Sequence, residues 1–390
     1  MTKARDLANI ISGGFTASDI PNLDTAKITS GTFADARLPN LDTSKITTGT
    51  FADARLPATA LNSNVSVQNQ SAFKNILING DMSVSQRSTS TSSITTEAYH
   101  TIDRYATFIT TLGTWTQSQS TDVPTGQGFA KSFKMDCTTA DASPAVGDRL
   151  LIQQKIEGQN LQYIKKGTSS AESLTLSFWV KSNKTGTYIA ELFDNDNTRQ
   201  ISQSYTILSA DTWEKKTMTF AGDTSGVLGN DNGTSLTLHL WLGAGTTYSS
   251  GTLSTTWTSS TNANRAVGQV NLADSTSNEW YVTGIQLEVG SSSSDFEFLP
   301  FDVNLQRCQR YFQKSYQYAS TGYPSSHGYQ RATVEFNTTM RSSPTLSFTD
   351  QSTGGSSIGS SGNIDGFLNT YGSLGASGSG TFSWTANAEL

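Results

Sequence analysis

An 18-residue repeat near the N-terminus constrains the fold of this chain more than any other feature. Pro21 recurs as Pro39 and Pro57, and three units begin at residues 10, 28 and 46. Each unit carries a Gly and a Pro, and because both residues break helices, a continuous coiled coil is excluded. In the stretch FADARLP, small apolar residues alternate with charged ones. This is the period of a β-strand, so the unit is predicted to consist of strand and turn.

The repeats cannot build a core by themselves. Each unit offers only a handful of large apolar side chains, too few to offset the chain entropy lost on folding. We therefore expect neighbouring chains to complete the core, as an intertwined homotrimeric shaft over residues 10–60. A flexible linker of low complexity is the weaker alternative, because linkers do not keep Ile, Phe, Leu, Asp and Arg in register.

The composition predicts an all-β protein. Of the 390 residues only 35% are apolar and 15% charged, and residues that favour short strands and turns are abundant. The net charge of −6 comes without a block rich in Lys and Arg, so nucleic-acid binding is not expected. No apolar run is long enough to span a membrane and the start lacks the apolar stretch of a signal peptide, so neither membrane insertion nor secretion is expected.

Three regions are expected after the repeats: a linker at residues 61–73, a jelly-roll-like β-sandwich at 74–302 and a small β domain at the C-terminal tip, 303–390. In the sandwich, short patterned strands are separated by turns rich in Gly, Asn and Ser. The predicted strands begin at Tyr105, Asp148, Leu174, Trp213, Ser235 and Glu279.

A short helix is predicted to join the sandwich to the C-terminal domain. After Pro300, Asp302 can cap a helix, and the helical period then places further residues on one apolar stripe. These residues are Leu305, Cys308 and Phe312.

No arrangement of residues typical of catalysis or metal binding occurs. His100, His239 and His327 are the only histidines, and none stands in a metal-ligand spacing such as HExxH. A GxSxG elbow, a GxxxxGK loop and a GxGxxG motif after a strand are also absent from the sequence. Cys137 and Cys308 lack a CxxC pairing and are expected to be buried free thiols. We therefore predict no catalytic residue, no metal ligand and no enzymatic activity.

Strand alternation places two tryptophans on polar faces. In LTLSFWVK, Leu174 and Phe178 face the core while Trp179 points away from it. In LTLHLWL, the same pattern turns His239 and Trp241 outward. Flat indole rings stack well on the apolar faces of sugar rings, so saccharide binding at these positions is one interpretation.

The segment from Gly243 to Asn271 supports a second interpretation, which we favour. It is rich in Gly, Ser and Thr and must pack on something, and it would bury the outward rings if it covered them. A subunit interface would bury them as well. The segment also carries Tyr248 and Trp257, either as its anchors or as further recognition residues. The candidate receptor or sugar site therefore comprises Trp179, His239, Trp241, Tyr248 and Trp257.

Several segments resemble one protein family. The unit ITSGTFADARLPNLDTSK resembles repeats in tail fibres of tailed bacteriophages, of the aquatic and cyanophage type. The stretch NILINGDMSVSQR resembles the entry to the sandwich domain common in phage tail-fibre proteins. The stretches LTLSFWVKSNKTGTY and NEWYVTGIQLEVGS are similar to its remainder. The resemblance extends from residue 10 to about residue 316.

This resemblance implies a structural virion component that is made in the host cytoplasm and located in the tail fibre. It implies a homotrimer in which residues 1–15 attach to the phage tail or an adaptor protein. The distal β domains would bind a host surface polysaccharide or an outer-membrane receptor and mediate adsorption. One alternative is a fibre spacer without receptor contacts. The less favoured one is a tailspike that cleaves polysaccharide, which would usually need a long β-solenoid and paired carboxylates.

The sandwich is also similar to carbohydrate-binding modules of the jelly-roll kind. In those modules an Asn-Gly-Asp entry and a late acidic residue help to hold a structural calcium. Asn79, Gly80 and Asp81 match the entry, but Thr283 stands where the acidic residue is expected. The resemblance therefore implies no cofactor other than a structural calcium, and Thr283 argues against that calcium.

Overall fold

The computed structural model describes residues 73–320, 330–352, 357–371 and 379–390. The attachment segment at 1–15 and the repeats at 10–60 lie outside the described residues, as does the linker up to residue 72. The trimeric shaft and these N-terminal boundaries therefore remain predictions.

Two six-stranded antiparallel sheets form a β-sandwich. Its strands are β1 Ser90–Ile94, β2 Ala106–Thr110, β3 Thr114–Ser120, β4 Ser132–Thr139, β5 Arg149–Glu157, β6 Leu174–Ser182, β7 Gly186–Asp194, β8 Arg199–Ile207, β9 Glu214–Phe220, β10 Thr234–Ala244, β11 Thr258–Ser259 and β12 Glu279–Val289. Sheet A has the order β1-β3-β4-β12-β6-β9, and sheet B has the order β11-β8-β7-β10-β5-β2. All six strands predicted from the sequence are present.

Short helical segments connect some of these strands. The helix α1 spans Thr246–Ser249, and 3-10 turns span Gly158–Asn160, Gln162–Ile164, Asn262–Asn264 and Leu272–Asp274. No helix in the described part of the chain is long and apolar enough to cross a membrane.

The core lies between the two sheets and comes from the alternating apolar residues. Leu176 and Phe178 of β6 and Leu238 and Leu240 of β10 are buried in one cluster that draws on both sheets. Burial of alternate side chains on each strand is what holds two sheets face to face. The predicted mostly-β sandwich is therefore confirmed.

The segment before β1 closes the gap between the sheets. The Ile76 amide donates to the carbonyl of Leu287 in sheet A at 2.9 Å. The Gln154 side chain of sheet B accepts from the Ile78 amide at 2.7 Å and donates to the Ile78 carbonyl at 2.9 Å. The entry segment thus satisfies backbone groups of both sheets, which gives the sequence at this point a structural role.

Glycine is required within this entry. A Cβ atom on Gly80 would lie 2.1 Å from the Ile285 carbonyl oxygen of β12. Neighbouring Asn79 has a positive φ of 61°. Its side chain bonds to the backbone of Val84: Nδ2 donates to the carbonyl and Oδ1 accepts from the amide, both at 2.9 Å. The Asn-Gly pair therefore lets the chain pass close to β12.

The C-terminal part contains one helix and two small sheets. The helix α2 spans Phe301–Gln309, and the strands are β13 Phe312–Ser320, β14 Gln330–Glu335, β15 Thr345–Ser352, β16 Ser357–Gly362, β17 Gly366–Tyr371 and β18 Ser379–Asn387. One three-stranded antiparallel sheet has the order β13-β18-β15 and the other the order β14-β17-β16. Phe367 and Trp384 pack edge to face with ring centroids 5.2 Å apart in the centre of this part.

The joining helix differs from its prediction in two ways. The residue before it is Pro300, which has no capping side chain, while Asp302 lies in the first turn. A carboxylate in the first turn still stabilises the helix, because it interacts favourably with the positive end of the helix dipole. Phe312 is the first residue of β13 and not part of the helical stripe, because the helix ends at Gln309. Cys308 is fully buried, as predicted.

Candidate functional site

The segment at residues 243–271, which we call the roof, packs on the outer face of sheet B. Trp241 lies on this face, as strand alternation predicts, but none of its surface is exposed. Its ring centroid is 5.5 Å from that of Tyr248 in α1, and both pack with Ile189 and Ala266. The segment at residues 243–271 therefore packs on the strand face, the interpretation favoured from the sequence. In this structure Trp241 and Tyr248 do not present a ring to a ligand.

Beneath the roof lies a buried charged cluster, which we call the Glu191 cluster: Glu191 of β7, His239 and Trp241 of β10, and Arg265. Arg265 Nε donates to Glu191 Oε1 at 2.8 Å and its Nη2 to Oε2 at 3.0 Å. Trp241 Nε1 also donates to Oε2, at 3.0 Å. The carboxylate is 0% exposed and Arg265 is 8% exposed. The bidentate pair ties the roof to the sheet.

His239 completes the cluster as a neutral donor. Its Nδ1 lies 2.8 Å from Glu191 Oε2. Because a carboxylate can only accept, Nδ1 carries the proton, and the 3.4 Å approach of Arg265 Nη2 to the same atom is not a hydrogen bond. Burial lowers the pKa of His239, and the facing Glu191 offsets only part of that change. His239 therefore serves the interior of the protein and is not a surface recognition residue.

We expect acid to weaken the sandwich through this cluster. Burial would raise the pKa of Glu191, but the Arg265 charge and the His239 hydrogen bond hold it at about 2. A carboxyl with a lowered pKa adds stability above its unfolded value, and this contribution of about 3 kcal/mol is lost as pH falls through the folded pKa. The pKa of His239 is also lowered, so the folded state loses further stability as the pH falls below the ordinary pKa of histidine. Urea unfolding of the chain between pH 7 and pH 3 should show a steady loss of stability, steepest at the acid end.

Trp257 anchors the end of the roof. Its Nε1 donates to the Ala221 carbonyl at 2.8 Å, and the ammonium of Lys166 lies 5.1 Å from the ring centroid. Lys166 is itself buried and paired with Asp194 and Asp223. The half-buried ring thus packs on the edge of the core, so its contacts are those of an anchor.

The outer face of sheet A presents Trp179 differently. Trp179 is half-buried and lies between Thr283 of β12 and Lys215 of β9. Lys215 is exposed, whereas Thr283 is buried and donates to the Lys131 carbonyl. Of the five residues predicted for a sugar site, Trp179 is the one that lies half-buried on the outer face of sheet A. Binding there stays a prediction.

A second tryptophan shares this face, which we call the Trp179 face. Trp213 precedes β9, and the strand register places it diagonally across from Trp179. Its Nε1 donates to Asp122 Oδ1 at 2.9 Å, and its ring meets Tyr281 edge to face at 6.2 Å. The Lys181 ammonium lies 4.4 Å from the Tyr281 ring centroid. Two half-buried indoles therefore lie among charged hydrogen-bonding groups.

Tyr281 of β12 lies on the Trp179 face and packs against the Trp213 ring. It is 6% exposed, and burial raises its pKa to about 12, a rise that the facing Lys134 partly offsets. Lys134 is held in turn by Glu279, whose Oε2 lies 2.6 Å from its Nζ. The ion pair and the ring contact order the side chains around the two tryptophans.

The calcium implied by the resemblance has no matching donor set among the described residues. Asp81 Oδ1 accepts from the Asn304 side chain at 3.0 Å. Thr283 donates its hydroxyl to the Lys131 carbonyl at 2.8 Å, so a neutral group takes the place of the acidic residue. In the part of the chain that the structure describes, no group of three or more His, Cys, Asp or Glu could hold a metal ion. The late acidic position of those modules is therefore taken here by a hydroxyl group.

The sequence analysis did not identify the polar partners in the Glu191 cluster or the aromatic neighbours on the Trp179 face. Glu191 alternates onto the outer face with Phe193, which a strand pattern could have indicated. Its ion-pair partner Arg265 is 74 residues away in an irregular segment, and no local pattern connects the two. Trp213 and Tyr281 both stood in predicted strands, but only the sheet order brings them beside Trp179.

Comparisons with known proteins give similarities of fold only. No protein-family model and no curated protein sequence matches the chain. Among solved structures, 55% of the chain aligns with the enzymatically active domain of tailspike protein 4 of bacteriophage CBA120, at 15% identity and a TM-score of 0.30, and covers 21% of that chain. A family 11 carbohydrate-binding module from Clostridium thermocellum aligns with 53% of the chain over 98% of its own length, at 12% identity and a TM-score of 0.26.

The N-terminal cellulose-binding domain of a β-1,4-glucanase from Cellulomonas fimi is a third such structure. It aligns with 49% of the chain over 90% of its own length, at 12% identity and a TM-score of 0.26. These similarities are too weak to carry a ligand or a site from those proteins to this chain. A ligand can be inferred only from the side chains of the chain itself.

Proposed function

We propose that this chain is a non-enzymatic tail fibre protein of a tailed bacteriophage, located in the virion, whose β-sandwich binds a surface polysaccharide of the host during adsorption. The observation that supports it most is the pair of half-buried indoles, Trp179 and Trp213, on the Trp179 face. The resemblance of the N-terminal repeats to tail-fibre repeats supports the virion location and the homotrimer.

The Trp179 face has the chemistry that sugar recognition needs. An indole ring offers an apolar surface to the C–H face of a sugar. The exposed Lys215 beside Trp179, and Asp122 beside Trp213, can exchange hydrogen bonds with hydroxyl groups at the ring edge. Such a shallow site binds weakly, but three copies on a trimer and several fibres on a virion raise the apparent affinity through effective concentration.

A subunit contact is the second candidate for this face. Half-buried tryptophans also occur at the centre of protein interfaces, and a homotrimer needs such contacts. In that case the chain would be a spacer, and recognition would lie on another fibre protein. The two candidates differ in what removal of the ring does to the assembly.

Trp179→Ala is expected to abolish blocking of phage adsorption by the purified full chain, while Trp179→Phe keeps most of it, because a phenyl ring still offers a stacking surface. The measurement is adsorption of phage to host cells in the presence of each protein at matched concentration. Both variants should have the mass of the wild-type assembly in solution and its melting temperature.

Other outcomes assign the face differently. A lower mass of the Trp179→Ala assembly in solution would identify the Trp179 face as a subunit contact and contradict the sugar site. A wild-type chain that assembles but neither binds nor blocks would leave it a spacer. Release of reducing ends from host polysaccharide would contradict the non-enzymatic assignment.

A further inference from the structure

A cavity lies between the sandwich and the joining helix. Its volume is about 640 Å³, within the range of small-molecule sites. The entry segment, the end of β5, the two 3-10 turns that follow it and α2 all contribute to its wall. None of the lining residues belongs to the Trp179 face. We call it the Arg307 pocket, after its central cation.

Among the described residues, four cationic side chains and no carboxylate line the Arg307 pocket: Arg104, Lys155, Arg307 and Arg310. Two of them are neutralised from outside the lining. Arg310 forms a bidentate pair with Glu157, with N to O distances of 2.9 and 2.7 Å. Arg104 pairs with Glu389.

Arg307 has no such partner. The Lys155 ammonium donates to the backbone oxygen of Leu390 at 3.0 Å. Arg307 makes no hydrogen bond or ion pair with any other described residue, and its guanidinium lies 5.7 Å from the Phe73 ring centroid. Glu297, which acts on Arg307 through its charge, accepts hydrogen bonds from the amides of Phe73 and Asn75. Arg307 therefore brings to the pocket a positive charge that has no direct partner among the described residues.

Arg307 also bears a desolvation cost. It is half-buried, and burial lowers the pKa of its guanidinium, which Glu297 only partly counteracts. A guanidinium presents a planar fork that matches a carboxylate with two parallel hydrogen bonds. An anionic ligand would offset the cost of burying this charge.

The rest of the wall suits a sugar. Tyr163, on the second 3-10 turn, is 51% exposed and offers a ring for stacking. Asn160, on the turn before it, has an exposed side-chain amide at the same wall. An aromatic ring with amide groups beside it is the combination that orients a polyhydroxylated ligand.

We propose that the Arg307 pocket binds a uronic acid residue of an acidic polysaccharide. The carboxylate pairs with Arg307, the sugar ring stacks on Tyr163, and the hydroxyl groups bond to Asn160. This rests on the proposed function in that the ligand is a host saccharide, but it names a different site and a charged class of sugar.

The test is calorimetric titration of the full chain with digalacturonate and with free glucuronate, using galactobiose as the neutral match and inorganic sulfate as the plain anion. At least one uronate is expected to bind, more tightly than galactobiose. Arg307→Gln should weaken that binding by about 10- to 100-fold, the usual value of a charge-assisted pair. Tyr163→Ala should weaken it too, whereas Trp179→Ala should leave it unchanged.

Four results would overturn the proposal. Binding of neither uronate, equal binding of galactobiose, or uronate binding that Arg307→Gln leaves intact would exclude a uronate site. Sulfate binding of equal strength would make it a simple anion site. Arg307→Gln must keep the wild-type melting temperature, and Arg307→Lys, which retains the charge without the fork, should recover part of the affinity. Loss of adsorption in Trp179→Ala with intact uronate binding would separate this site from the Trp179 face.

Discussion

Replacing Glu191 by Gln is expected to lower the free energy of unfolding of the sandwich by about 3–5 kcal/mol. The side chain keeps its shape, but Arg265 is then left buried with no counter-charge, at 8% exposure. His239 and Trp241 also lose the carboxylate oxygen to which both donate. Urea unfolding followed by tryptophan fluorescence measures the change, and Trp241 itself reports on the cluster.

Glu172→Gln is the matched control. Glu172 pairs with Lys165 at 2.6 Å, but these side chains are 38% and 51% exposed, respectively. Surface pairs of this kind contribute less than about 1 kcal/mol. The double variant Glu191→Gln with Arg265→Met should be less destabilised than the two single changes added together, because it removes the stranded cation. Equal stability of the Glu191 and Glu172 variants would show that the Glu191 cluster does not hold the roof.

Gly80→Ala is expected to cost about 3 kcal/mol, near the upper end for overpacking. The added methyl would lie 2.1 Å from the Ile285 carbonyl oxygen, a backbone atom that cannot turn aside. The entry segment would have to move away from β12, and the hydrogen bond from the Ile285 amide to the Gly80 carbonyl, now 2.9 Å, would be lost. Thermal melting of the full chain followed by circular dichroism gives the change.

Gly147 provides the comparison for this variant. A Cβ atom there meets nothing within 4 Å. Gly147→Ala should therefore stay within about 1 kcal/mol of the wild type. If Gly80→Ala melted at the wild-type temperature, the close approach to β12 would not constrain the entry, and the Asn-Gly-Asp sequence would need another explanation.

Strand patterning predicted most of the sandwich fold from the sequence, because alternation of side chains is a local property of a strand. The alternation of Leu176 and Phe178 with polar residues is a property of one strand, and it predicts both the strand and the face that is buried. It also gave the direction of Trp179 and Trp241 correctly, since each lies on the outer face of its sheet. Alternation does not predict which segment of the chain packs on that outer face.

Tertiary structure decided which outward ring is covered. Trp241 is buried because the roof packs on sheet B, and Arg265 pairs with a carboxylate 74 residues away. Trp179, on the outer face of sheet A, is only half-buried. Two positions with the same sequence signature thus differ, because burial depends on a long-range contact that no local period encodes.

The sequence by itself therefore determined the class of structure: mostly β, with patterned strands and a joining helix. It also excluded the common catalytic and metal-binding motifs. Only the tertiary structure decided where charge and cavities lie. Arg307 reaches its pocket because α2 packs beside the turns that follow β5, and Glu191 finds Arg265 because the roof folds back over sheet B. Local patterns follow from backbone geometry, whereas a site forms where distant segments meet and desolvate each other's charges.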